Sequence, residues 1–487
     1  MRKAFHLAPV LLAVLASACT VGPDYVRPAL PAAPAFDAAA SAGDAPLPAP
    51  DAPFWRRFGD PLLDALVDEA LSANHDLRRA LARHDRAEAL LDESGYDRLP
   101  TVTMAGQSQW SRASAIEAPG LGRAERDGTT HSAAILAGWE IDFFGGIRRR
   151  IEARRAGLEA ESADLAAVQV AVVGQLAGAY FELRGLQQRL DVARRNADNQ
   201  RQTLELVEAQ LDAGRGTSFD LARARAQYES TRARVPALEA AVDVTMHRIA
   251  VLVGQPPKAL DERLAGAAST ALLPPAIDAG TSGALLRRRP DVQAAERRLH
   301  AATARIGVAT AELFPRFTLA GLLGFHAGAG DTLFDRDSET RQIAFGIDWS
   351  FLDAGRVRAR IAAADADGEA ALAAYEQAVL GALEETANAL ARYRRTGEEA
   401  GRLAGSAQAA AQAAQLAHVR HDAGAADLLD VLDAERTRLL AEDAAAEAAA
   451  RRAIGAVAVY SALAGGWPQQ PPVRVRLETA GAAPVAP

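Results

Sequence analysis

The feature that most constrains this chain is an internal repeat of long period. Residues 76–100 align with 291–315 at a constant offset of 215, without a gap. The match runs on from TVTMAG (101–106) into RFTLAG (316–321). GWEIDFFGGIRRRI (138–151) then matches GIDWSFLDAGRVRARI (346–361) with small shifts. Finally LDAGRGTSFDLARARA (211–226) matches HDAGAADLLDVLDAER (421–436) at an offset of 210. A duplication on this scale means that one structural unit is used twice, so its pattern sets the architecture before any motif does.

Each unit reads helix, strand, strand, helix, helix. Strands are predicted near 101–110, 131–144, 316–326 and 341–352 from strict alternation. Ile343, Phe345, Ile347, Trp349 and Phe351 fall on one face, with Gln342, Ala344, Gly346, Asp348 and Ser350 on the other. One greasy and one polar face suits either a half-buried soluble sheet or a membrane barrel. The helices are long. Arg148 to Asp212 contains no proline, and about 65 residues of helix would reach about 100 Å. Leu165, Val168, Val172, Leu176, Ala179, Leu183, Leu186 and Leu190 recur at threes and fours, as in a coiled-coil seam. Arg356–Asp422 is the matching helix. The shorter helices, Asn74–Gly95 with Thr217–Val253 and Arg289–Leu313 with Asp427–Leu463, pair into broken counterparts of the long ones. The expected layout is a signal (1–18), an extended Pro/Ala-rich arm (19–60) and repeat one (61–254). A linker (255–283), repeat two (284–466) and a tail (467–487) follow.

Both long helices end in the same turn. Gly214 and Gly424 have the place of the left-handed residue that closes a helix, and Thr217 and Asp427 the place of the next N-cap. Asp430 and Asp433 share one helix face. Asp430 matches Asp220, so helix capping explains it as well as any more specific role does. Asp433 matches Arg223, so no shared capping need explains it.

The chain has one cysteine, Cys19, which excludes an intrachain disulfide and a Cys-based metal centre. Arg2 and Lys3 precede an apolar run from Leu7 to Leu15, too short to span a bilayer, and small residues 16–18 follow. With Cys19 next, this resembles a bacterial lipoprotein signal, although Ala16 stands where that motif usually has Leu. The resemblance implies a covalent lipid on Cys19 and, since Thr20 is not aspartate, sorting to the outer membrane. The alternative is ordinary cleavage that leaves Cys19 unmodified. Removing Arg2 and Lys3 takes the formal charge from −8 to −10, and no basic run remains to suggest a nucleic-acid partner. The nine histidines form no HExxH pattern. No nucleophile–base set or phosphate loop is evident, so neither a metal, a cofactor nor an enzymatic activity is expected.

Four membrane strands cannot close a barrel alone, because open edges are not tolerated in lipid. Three chains would supply twelve strands, an even number in the usual range. CTVGPDYVRP (19–28), WEIDFFGG (139–146), RRPDVQAAE (288–296), LFPRF (313–317) and GAADLLDVLDAER (424–436) together resemble the TolC-type outer-membrane channel family. The likeness is to its lipoprotein (NodT/OprM-like) branch and covers essentially the whole mature chain. It implies an α+β membrane protein: a homotrimeric twelve-stranded barrel in outer-membrane lipid, continued by a periplasmic α-helical coiled-coil barrel. A periplasmic adaptor and an inner-membrane RND-type pump would be its partners. It also implies that the tips form a closable end, with Asp430 and Asp433 as gate residues. Where the family's best-known member has a tyrosine and an arginine, this chain has His421 and Ala426, which leaves Arg420 and Arg223 as candidate locking residues. The expected function is passive efflux of drugs and other small molecules; the alternatives are a type I protein secretion duct and a non-channel coiled-coil scaffold.

Overall fold

The computed structural model describes residues 20–29, 53–266 and 282–463. The signal, Cys19, most of the arm, part of the linker and the tail lie outside the described residues. A 3₁₀ turn (Phe54–Phe58) leads into α1 (Pro61–Ala73), α2 (His75–Tyr96), β1 (Thr101–Arg112) and β2 (Asp127–Ile141). Next come α3 (Gly146–Asp212), α4 (Ser218–Arg232), α5 (Arg234–Leu252) and the short α6 (Asp261–Leu264). The second half follows as α7 (Ser282–Arg288), α8 (Pro290–Ala311), β3 (Arg316–Ala327), β4 (Glu339–Asp348), α9 (Ala354–Asp422) and α10 (Leu428–Ala462). The chain divides into two compact units.

One unit holds the strands, with His84–Ser162, Ala294–Glu376 and the N-terminal residues up to Ala29. Its sheet has the order β1-β2-β3-β4, antiparallel throughout, with β1 and β4 as unpaired edges. The register stacks like with like. Met104 pairs with Ile135 and Ile135 with Leu323; Trp139 pairs with Leu319 and Leu319 with Phe345. The opposite face carries Thr103, Gln107, Glu140, Thr318, Arg316, Gln342 and Asp348. The apolar side is bare in the single chain: Met104 is 83% and Ile343 86% exposed. Two strand ends differ from expectation. β2 stops at Ile141 and β4 at Asp348, so Phe143, Trp349 and Phe351 lie beyond them. Trp139 Nε1 donates to the Arg98 carbonyl and Trp349 Nε1 to the Leu313 carbonyl, each at 3.0 Å, fixing each strand base to the segment after the preceding helix.

The N-terminal residues 20–27 are clamped in this unit. Val21 N donates to Phe144 O, and the Arg149 guanidinium donates to the carbonyls of Val21 and Gly22 and to Asp24. Tyr25 stacks on His300 at 4.4 Å and donates to Glu296. Burial, with Glu296 beside it, pushes the Tyr25 hydroxyl up to about 12, so it stays a donor. Gly22 has φ +87°, and a Cβ there would come 2.4 Å from the Gly307 Cα, so chain and helix meet backbone to backbone.

The other unit is helical. Val172, Leu176, Ala179, Leu183 and Leu190 of the predicted seam are buried, with Leu165, Val168 and Leu186 partly so. Phe54, Trp55 and Phe58 of the 3₁₀ turn complete this core, Phe54 stacking on Tyr460 at 5.0 Å. By length and composition α3 is apolar enough over 18 residues to cross a bilayer, but Val172, Val173, Leu176 and Ala177 on it belong to the buried core of this unit. The short helices meet end to end. Asn74 Nδ2 donates to Leu252 O at 2.8 Å while its Oδ1 caps α2 through Asp76 N and Leu77 N. At the corresponding place Arg289 donates to Ala462 O at 2.8 Å. One helix is shorter than predicted: 217–253 breaks at Ala233, because Pro236 has no N–H to continue the ladder from α4.

Candidate gate at the two hairpin tips

At the first tip, Gly214 has φ +72°; Gly214 N donates to Leu211 O and Arg215 N to Gln210 O. At the second, Gly424 has φ +73°; Gly424 N donates to His421 O and Ala425 N to Arg420 O. Both are helix-closing turns in which a glycine takes the left-handed position, which side chains disfavour. The next helix then starts on a cap. Thr217 Oγ1 accepts from Asp220 N at 3.2 Å and donates to the Asp220 carboxylate at 2.6 Å. Asp427 accepts from Asp430 N at 2.9 Å. Backbone geometry is therefore shared and charge is not.

Asp430 and Asp433 both lie exposed near the start of α10. Asp433 forms an ion pair with Arg436 at 2.7 Å, a partner the sequence reading missed although the spacing of three was visible. Asp430 lies in the first turn, where its charge also favours the helix dipole. The positions that depart from the best-known member touch one another: His421 Nδ1 lies 3.1 Å from Ala426 O. Arg420 donates to Ala425 O in its own turn, and Arg223 covers the Phe219 ring at 5.5 Å. Both candidate locking residues thus have partners within the chain.

Just past the end of β2, Asp142 is a helix cap. It accepts from Ile147 N and Arg148 N at the start of α3 and binds the Arg148 side chain. Glu140 and Asp348 remain on the polar face of the sheet. The described residues that best fit a metal are His84, Asp85 and Glu88 on α2, with ligand atoms within 4.8 Å of one another. They are partly exposed, and His84 already meets Asp85.

Comparison with known proteins points to one family. The Outer membrane efflux protein family matches residues 66–255 and 281–465. The chain belongs to that family. It is an outer-membrane efflux channel and not an enzyme, and it works as a homotrimer with a periplasmic adaptor and an inner-membrane pump. Among curated relatives, outer membrane protein OprJ of Pseudomonas aeruginosa is 31% identical over 96% of this chain and 97% of its own. The pyoverdine export outer membrane protein OpmQ of Pseudomonas putida is 33% identical over 87% and 90%. Among solved structures, the outer-membrane channel OprN is 42% identical with a TM-score of 0.85, over 92% of this chain and 99% of that one. These neighbours share the trimeric channel fold, a helical barrel with a β domain.

Proposed function

We propose that three copies of this chain close one twelve-stranded barrel and that the duct carries small molecules outward. The observation that carries it is the sheet: an apolar face in register across all four strands, ending in unpaired edges at β1 and β4. Such edges are not tolerated in lipid, and β4 of one copy pairing with β1 of the next removes them all. The duplicated unit then gives each copy two strand pairs and two long helices, and the helices continue the wall through the periplasm. Cys19 carries a lipid. Residues 20–27, which follow it in the chain, are fixed against Phe144, Gly145 and α8. Small-molecule cargo is favoured over secreted protein by the lipoprotein-type N-terminus and by the pyoverdine exporter among the relatives.

Asp430 and Asp433 line the closed end. Three copies would bring six carboxylates to one constriction, partly offset by Arg436, attracting cations and repelling anions. Single-channel conductance in planar bilayers tests this, wild type beside Asp430→Ala/Asp433→Ala. A small cation-selective conductance that rises about tenfold or more in the variant supports pore and gate together. Equal conductance in both would move the gate elsewhere.

A further inference from the structure

Toward the tip, α3 and α10 run antiparallel in one register. A Cβ on Gly174 would lie 2.6 Å from Ser461 Oγ and one on Gly185 2.3 Å from the Ala450 Cβ, while Arg189 pairs with Asp443. Carried on, that register sets Asn196 and Gln200 of α3 against Glu435, Arg438 and Glu442 of α10. Asn196 Nδ2 reaches Glu442 at 3.4 Å. On the other side of this layer His418 of α9 meets Glu435 at 2.7 Å, and Arg438 binds Glu442 at 2.8 Å.

The layer interrupts an apolar seam. Leu190, Val192 and Ala193 precede it on α3, and beyond it Leu204, Val207 and Ala224 form a small separate cluster with Leu221, Tyr228 and Leu428. Asn196, Gln200 and Glu435 are only 1%, 3% and 4% exposed. Yet Asn196 Oδ1, both polar ends of the Gln200 amide, and Glu435 Oε2 have no hydrogen-bond partner among the described residues. Buried polar atoms left in this state carry their full desolvation cost, and the low dielectric makes that cost larger. A polar layer in a helical seam also weakens it locally.

We infer that this layer is a hydrated hinge, the line along which the second hairpin parts from α3 when the channel opens. The inference rests on the duct reading above. Water entering at Asn196, Gln200 and Glu435 satisfies the four orphaned atoms, so parting the seam there restores hydrogen bonds where elsewhere it would only expose apolar surface. Beyond the layer, Leu428 has to part from the small cluster around Val207 for the tip to move. The large core on the other side stays closed.

The test is Gln200→Leu/Glu435→Leu, read by thermal unfolding of the trimer and by conductance in planar bilayers. Filling the layer with apolar side chains raises the unfolding temperature and lowers open-state occupancy about tenfold. Gln200→Glu, which adds a charge to the layer, moves both readouts the opposite way. Wild-type occupancy in both variants overturns the hinge. Unfolding is measured on the same trimers whether or not they conduct, so an unchanged or lower temperature in the leucine variant overturns the hydrated layer by itself. A wild type that never conducts, even with Asp430→Ala/Asp433→Ala, overturns the duct reading and the hinge with it.

Discussion

At the start of α2, Asn74 joins the broken helix of the first half by bonding to Leu252 O; 215 residues later Arg289 does the same for the second half at Ala462 O. The first junction is a neutral amide that also caps its helix. The second is a guanidinium, 9% exposed, held by Asp291 at 2.7 Å and Glu385 at 2.6 Å, with Arg288 covering Leu463 O beside it. A buried cation needs acids around it, whereas an amide needs only its own helix start. The same backbone problem, orphaned carbonyls at a helix end, is thus met in both halves by a long-range side-chain bond, steadied by its own helix start in one half and by the acids Asp291 and Glu385 in the other. Arg289→Met should therefore cost about 2–4 kcal/mol, since it strips the cap and the charge partners together. Asn74→Ala should cost about 1–2 kcal/mol. Thermal unfolding of trimers orders the two, and equal losses would mean that the charge network adds nothing to the junction.

The halves differ again where the long helices begin. Arg149 and Glu152 of α3 correspond to Ala359 and Ala362 of α9, so of the two long-helix starts only α3 holds residues 20–27 by charge, while Glu296 of α8 takes Arg27 and Tyr25. Burial alone would raise the Glu152 carboxyl, but hydrogen bonds from His300 and Arg149 outweigh it and hold it below the usual range. A carboxyl whose pKa is lower in the folded protein adds stability above its unfolded value, about 4.5, and loses it as the pH falls through the folded value. Attachment of the N-terminal arm should thus be constant at neutral pH and weaken in acid below that value. Glu152→Gln should flatten this acid limb. Protease protection of residues 20–27 against pH reads it; an unchanged acid limb in the variant would assign the loss to other carboxylates.

What could be read in advance follows the range of the interactions. Strand faces obey a period of two, so Ile343, Phe345 and Ile347 announced their side of the sheet from composition alone. The tips are equally local: glycine, three residues, cap. The break before α5 is also local, written in Pro236, but the apolar period runs through it. Clamping of the N-terminal residues was not legible, since Arg149 and Glu296 lie more than a hundred positions away from them. Nor was the polar layer at Gln200, which exists only once α3 and α10 are set in register. Asp433 shows the middle case: its charge was noticed and its partner Arg436, one turn on, was not.

The smallest difference between the halves is the cap itself, Thr217 against Asp427. Both accept from the backbone N–H three residues on, but the carboxylate adds charge at the positive end of the α10 dipole, while Thr217 instead binds the Asp220 side chain. Asp427→Ala and Thr217→Ala should each cost about 1 kcal/mol in unfolding experiments. Only the Asp427 loss should shrink as salt is raised, because screening weakens a charge–dipole interaction and leaves a neutral hydrogen bond largely unchanged. If the two losses share one salt dependence, the tips are held by geometry alone. The acidic character of the second would then belong entirely to what passes between the three copies.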